Sequence, residues 1–218
     1  MKTIFKGPIE LNLDKNGIYS FNLKDLRYDF YLKYISQFVK VKMERKTKVV
    51  FEAEKVETLK NFLKKEDLTY RQCESLFIDI GEQIKILEKN EIGYVCLDIN
   101  DIVIVFTDKF NFSMVFLNIE KQHFTVKNNM LKISNIFKKS EFISPQIDNI
   151  NEIPTSIKYR ENFFYSLSQV ICFCINKIKE KNHEEYKKKL DIILETKLYW
   201  ALLRCLKDEV ENRYYLLI

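Results

Sequence analysis

The chain has 218 residues, 46% of them hydrophobic, which is enough apolar material to bury a full core. Its 36 Lys and Arg against 31 Asp and Glu leave only +5, with both signs spread along the chain, so a dedicated nucleic-acid binder is disfavoured. Seventeen Phe and 12 Tyr exclude intrinsic disorder, and the four glycines, Gly7, Gly17, Gly81 and Gly93, form neither GxGxxG nor GxxxxGK[ST].

Residues 1–53 read as short strands. Ile9-Glu10-Leu11-Asn12-Leu13 alternates, Asp14-Lys15-Asn16-Gly17 is a turn, and Ile18-Tyr19-Ser20-Phe21-Asn22-Leu23 alternates again, a β-hairpin pattern. Leu26, Phe30 and Leu32 allow a short helix within 25–34. Phe38–Lys42 and Lys48–Ala53 read as paired strands around Glu44-Arg45-Lys46. From residue 54 the period changes, and Val56, Leu59, Phe62 and Leu63 follow helical spacing. Thr69 is an N-cap for a long helix whose face is Cys73, Leu76, Phe77, Ile80, Ile84 and Leu87, and Gly93 ends that segment. Ile102–Phe106 is a buried strand, and Asp108–Asn111 turns the chain into a second strand, Met114–Leu117. Residues 118–162, with Pro145 and Pro154, read as mostly loop. An apolar helix at 163–175, a solvated charged segment at 177–189, a helix at about 196–207 and a short segment at 213–218 complete the chain.

Five cysteines, Cys73, Cys96, Cys172, Cys174 and Cys205, are an odd number set mostly in apolar runs, and are expected to be buried and reduced. No CxxC is present, and only His123 and His183 are available to a zinc site. The first residues lack the apolar core of a signal peptide, and no stretch reaches the roughly 20 apolar residues that span a bilayer. A cytoplasmic protein with no membrane partner is expected.

A small antiparallel sheet, a linker, a long helix, a β-hairpin, a loop and a helical half is the element order of a protein kinase. Several segments resemble kinase motifs in the same order. Glu52–Leu63 resembles the hinge and the short helix after it, and Leu68–Lys89 the long helix before the catalytic loop. Ile92–Ile104 is similar to the catalytic loop and the following strand, and Phe142-Ile143-Ser144-Pro145-Gln146 to the Ala-Pro-Glu segment. Tyr165-Ser166-Leu167-Ser168 resembles Trp-Ser-Leu-Gly of the central helix, and 200–213 the helix and Arg that end the kinase core. The resemblance covers about residues 48–216 and is similar in particular to divergent kinase-like proteins of large DNA viruses. It implies an α+β, two-lobed protein kinase-like fold, with a reduced N-terminal β-lobe at 1–53 and a mainly helical C-terminal lobe at 54–218.

The departures from the kinase pattern decide the expected function. Phosphoryl transfer needs a carboxylate base, an Asn and an Asp on Mg²⁺, and a Lys on the phosphates. His-Arg-Asp falls on Tyr94-Val95-Cys96, so the base is missing. The metal-binding Asn falls on Asp101 and the Asp-Phe-Gly aspartate near Asn118, a weak ligand pair. A shifted register makes Asp98 the base, but shortens the loop to Asp101 from four residues to two. Lys40 and Lys42 are the candidates for the phosphate lysine, and the kinase Asp that holds the catalytic loop falls on Phe163. The paired Glu and Arg of the kinase scaffold become Gln146 and Arg213, a contact that a neutral acceptor can keep.

The expectation is a pseudokinase that binds a protein partner, viral or host, and needs no cofactor. An active Ser/Thr kinase using ATP and Mg²⁺ through Asp98 or Asp101 is the alternative. A nucleic-acid module ranks third, on the aromatic cluster Tyr28–Tyr34 with its interleaved Lys and Arg and on the lysine-rich run 177–189. With two His in the chain, no Ser-His or Cys-His hydrolase arrangement is apparent.

Overall fold

The structure, a computed structural model, describes residues 1–109, 111–117 and 123–215. In chain order the elements are β1 (Lys2–Phe5), β2 (Ile9–Leu13), β3 (Tyr19–Leu23), α1 (Asp29–Ile35), β4 (Lys40–Arg45), β5 (Lys48–Glu52), β6 (Lys55–Thr58) and α2 (Leu59–Phe62). There follow α3 (Tyr70–Lys89), β7 (Ile92–Tyr94), β8 (Ile102–Phe106), β9 (Phe112–Phe116), β10 (His123–Lys127) and β11 (Met130–Ile133). The chain ends in α4 (Pro145–Asp148), β12 (Thr155–Lys158), α5 (Tyr159–Asn176), α6 (His183–Lys189) and α7 (Lys197–Cys205). The fold is mixed α+β, and its chain divides into two compact units, Met1–Lys65 with Ile99–Lys121, and Glu66–Asp98 with Gln122–Ile218. Among the described residues no helix is long and apolar enough to cross a membrane.

The first unit holds two antiparallel sheets, β1-β2-β3-β5-β4 and β6-β8-β9. The β2–β3 hairpin closes as its sequence predicts. Gly17 takes φ +78°, and the Asp14 carboxylate accepts from the backbone N–H groups of Asn16 (2.8 Å) and Ile18 (2.9 Å). Register pairs Leu11 with Phe21 and Ile9 with Leu23, placing apolar side chains together, and Phe21 stacks on Phe51 of β5 at 4.7 Å. The six residues of edge strand β4 are all exposed, and an irregularity between Val41 and Met43 blunts that edge. Helix α1 buries Tyr31, Leu32 and Ile35, and Tyr31 donates its hydroxyl hydrogen to the Phe116 carbonyl at 2.7 Å.

Central strand β8 buries Ile102, Val103, Ile104 and Val105 between β6 and β9, which explains its unbroken apolar run. Val56, expected on a helix, lies instead on β6, where Val56 pairs with Val105 of β8. Helical spacing begins one step later, at Leu59, and Thr58 caps the short helix by accepting from Asn61 N at 3.2 Å.

In the second unit α3 starts where its cap predicts. Thr69 and Gln72 form a reciprocal capping box, and the expected face, Cys73 to Leu87, is buried. The helix stops at Asn90, and Gly93 sits inside β7 rather than at a helix end. The stretch expected to be loop contains most of a four-stranded antiparallel sheet, β12-β11-β10-β7. Its β10–β11 hairpin turns at Asn128 (φ 50°) and Asn129 (φ 60°), residues that tolerate left-handed backbone. Helix α5 begins at Tyr159, four residues before the expected start, and packs against α3 and α7. Segment 177–189, expected to be solvated throughout, holds α6, which buries His183 and Tyr186 while leaving Lys187, Lys188 and Lys189 exposed.

Candidate functional site

The residues singled out by sequence are distributed over both units. In the second unit, Tyr94 and Val95 are buried, and Cys96 and Asp98 are half-buried. The backbone of this segment is held by two hydroxyl side chains. Leu97 N–H donates to Ser166 Oγ at 2.9 Å, and Ser140 Oγ donates to the Leu97 carbonyl at 2.8 Å. Ser166 in turn donates to the Phe142 carbonyl, so one hydroxyl ties the loop at 97 to the segment before α4. Phe163 is fully buried and accepts nothing, and the anchoring function rests one helical turn further on. No motif in the sequence marks Ser140, and Ser166 stands out only as part of the segment on the central helix. The available signal was a serine in the middle of an apolar helix, which needs a hydrogen-bond partner once buried.

In the first unit, Asp101 is 8% exposed and lies in the 3₁₀ turn that opens β8, where its carbonyl accepts from Leu117 N at 2.9 Å. Asn118 lies outside the described residues. Lys40 and Lys42 project from the exposed edge strand β4, and both pair with the Glu52 carboxylate, Lys40 at 3.3 Å. Those two ammonium groups draw the Glu52 carboxyl below its ordinary range. The two lysines and Glu52 form a local ion cluster on the sheet edge. Among the described residues no group of three or more His, Cys, Asp and Glu side chains gathers to hold a metal ion.

Gln146 and Arg213 are brought together, though through an intermediary rather than by direct contact. Asn162, 1% exposed on the first turn of α5, donates to Gln146 Oε1 (2.6 Å) and to the Lys158 carbonyl (2.6 Å). Its own oxygen accepts from Ser144 Oγ (2.5 Å) and Arg213 Nη1 (3.4 Å). Both donors and both acceptor positions of the amide are therefore used. Arg213, 4% exposed, also donates to the carbonyls of Lys207 (2.6 Å) and Asp208 (2.8 Å), and its guanidinium lies 4.3 Å from the centre of the Tyr165 ring. Burial pushes the Arg213 pKa down from its ordinary value, against the opposing pull of Tyr165 and Asp208. Burial also raises the Tyr165 hydroxyl to about 12. Four of the five cysteines are buried and all are free thiols, Cys205 being pushed up to about 12 by burial.

What this arrangement does is hold backbone in place. Its polar groups are spent on carbonyls, amides and one another, and they join the segments around residues 97, 142–146 and 208–213 to helix α5. No protein-family model and no curated protein matches this chain.

Proposed function

We propose that this chain is a protein kinase-like binding scaffold that does not transfer phosphate. Support for the kinase-like part comes from element order. A five-stranded antiparallel sheet has a helix inserted between its third and fourth strands, and a long helix precedes a short loop and the β8–β9 hairpin. The Asn162-centred cluster supports it too, because it links the residue after Pro145 to Arg213 as the resemblance implies.

The observation that carries the loss of transfer is on β3. Kinases hold the nucleotide phosphates with a lysine on their third strand, and here that strand reads Tyr19-Ser20-Phe21-Asn22-Leu23. The lysine just beyond it, Lys24, is paired with Glu10 of β2 at 2.7 Å. Cys96, in the place the resemblance gives to the catalytic base, is a thiol where the kinase pattern has an Asp carboxylate. A scaffold that keeps its buried fastenings and lacks these charges is suited to presenting a surface to a protein partner.

The test uses the purified chain with ATP, Mg²⁺ or Mn²⁺ and a generic basic acceptor protein. No phosphate incorporation is expected, and no saturable rise in melting temperature with ATP and Mg²⁺. Transfer that disappears in Asp101→Asn or Asp98→Asn, with melting unchanged, overturns the proposal in favour of a divergent Ser/Thr kinase.

A further inference from the structure

A cavity of about 630 Å³ lies in the second unit, between the C-terminal end of α3, the first turns of α5 and the segment after α7. That volume falls within the range of small-molecule sites. Its apolar wall is aromatic: Phe164 and Tyr215 stack with centroids 3.9 Å apart, and Tyr214 stands beside them. Its polar wall is dominated by the cations Lys85, Lys89, Arg160 and Arg213.

Two carboxylates also line the cavity, Glu88 paired with a cation and Glu161 held by a neutral amide. Glu88 accepts from Arg160 Nε at 2.9 and 3.0 Å, and Glu161 accepts from Asn129 Nδ2 at 2.8 Å. Lys85 is paired with Glu82 at 2.6 Å. That leaves Lys89 and the buried Arg213 with no carboxylate within ion-pair distance among the described residues. Arg213 donates one bond from each nitrogen, all to neutral oxygens, so two of its five N–H groups are left over. A buried guanidinium with no carboxylate in contact is only partly compensated by the more distant Asp208 and Glu211, and its natural complement is an anion presented in the cavity it lines.

We propose that this cavity binds a small organic phosphate carrying a flat ring. The ring meets Phe164, Tyr214 and Tyr215, and the phosphate meets Lys89 and Arg213. Four lining cations against the two carboxylates Glu88 and Glu161 leave +2, opposite in sign to a phosphate monoester, which carries about −1.5 to −2 at pH 7. The proposal rests on the cavity alone and stands or falls separately from the kinase-like reading.

The test is calorimetric titration of the full chain with phenyl phosphate, inorganic phosphate and phenol. Phenyl phosphate is expected to bind saturably, and inorganic phosphate and phenol each at least tenfold more weakly. Lys89→Glu, at an exposed position in the last turn of α3, is expected to weaken phenyl phosphate at least tenfold, with the chain still folded and only the small fall in melting temperature that follows from an anion at a helix C-terminus. Tyr214→Ala is expected to weaken phenyl phosphate while leaving inorganic phosphate as it was. Absence of phenyl phosphate binding, equal binding of inorganic phosphate, or binding indifferent to Lys89→Glu overturns the proposal.

Discussion

Asn162 is the residue on which the buried polar cluster turns. Every hydrogen-bonding position of its amide is filled, by Ser144, Gln146, Lys158 and Arg213. Asn162→Leu would strand those four partners inside the protein, and a loss of about 2–3 kcal/mol in urea denaturation is expected, since unsatisfied buried groups cost about 1–3 kcal/mol each and relax in part. Arg213→Ala removes three donations and the contact with Tyr165, and is expected to cost about 1–3 kcal/mol. The exposed Lys187→Ala is the control, with less than about 0.5 kcal/mol expected. Equal and negligible effects of Arg213→Ala and Lys187→Ala would reduce Arg213 to a packing contact. Sequence pointed to Gln146 and Arg213 and missed the residue between them. An Asn at the start of an apolar helix gives no hint of its partners until the chain has folded around it.

At the scale of elements, the ends of helices were legible and the strands of the second unit were not. Thr69 and Gln72 form their box from local geometry, and Thr69→Ala is expected to lower stability by about 1 kcal/mol in the same denaturation experiment. Rescue by Thr69→Ser would assign the loss to the cap. Gly93 shows the opposite case, because its role is set by distant residues. A Cβ at this position would lie 2.5 Å from Leu131 Cδ1 and 3.1 Å from Tyr159 Cε2, on β11 and α5. Gly93→Ala is therefore expected to cost about 1–3 kcal/mol by overpacking. A neutral result would show that β11 yields freely around β7. The β10–β11 hairpin did leave a trace, since alternating residues flank the Asn128-Asn129 turn. The apolar stretches beside it are too short to tell strand from loop by pattern alone.

For the molecule as a whole, buried His183 gives a pH dependence of known sign. Burial holds its imidazole below the ordinary value of 6.5, with Lys207 adding to the effect and Asp208 and Glu184 opposing it. The unfolded chain therefore takes up the proton first. The contribution of His183 is fully present above about pH 6.5 and is lost as pH falls from there through the lowered folded value. Between pH 7.5 and 5.5 the native protein is expected to lose stability relative to His183→Gln, by no more than about 1.4 kcal/mol, the linkage limit for one proton over one pH unit. Parallel pH profiles of the two proteins would rule the imidazole out. The two compact units are a feature of the same scale. Each is assembled from two separate stretches, with crossings at 65/66, 98/99 and 121/122. A single cut between 53 and 54 follows composition and period, which change along the chain. Discontinuous units follow from which stretches pair, and the β8–β9 hairpin pairs with β6 of the first unit.

Sequence by itself determined what depends on neighbours a few residues apart. The β2–β3 hairpin with Gly17 at its turn, the capped start and buried face of α3, the unbroken apolar β8 and the α+β class all follow from local conformational preference and hydrophobic period. Tertiary structure decided what depends on residues far apart in the chain. It paired β7 with β10, fixed the loop at Leu97 through Ser166, joined Gln146 to Arg213 through Asn162, and set Lys40 and Lys42 on an edge strand beside Glu52. It also made the cavity that Arg213 and Lys89 line with no carboxylate within ion-pair distance of either among the described residues. The reason is physical: hydrogen-bond satisfaction and charge compensation are properties of buried positions, and burial is created only when separate segments pack.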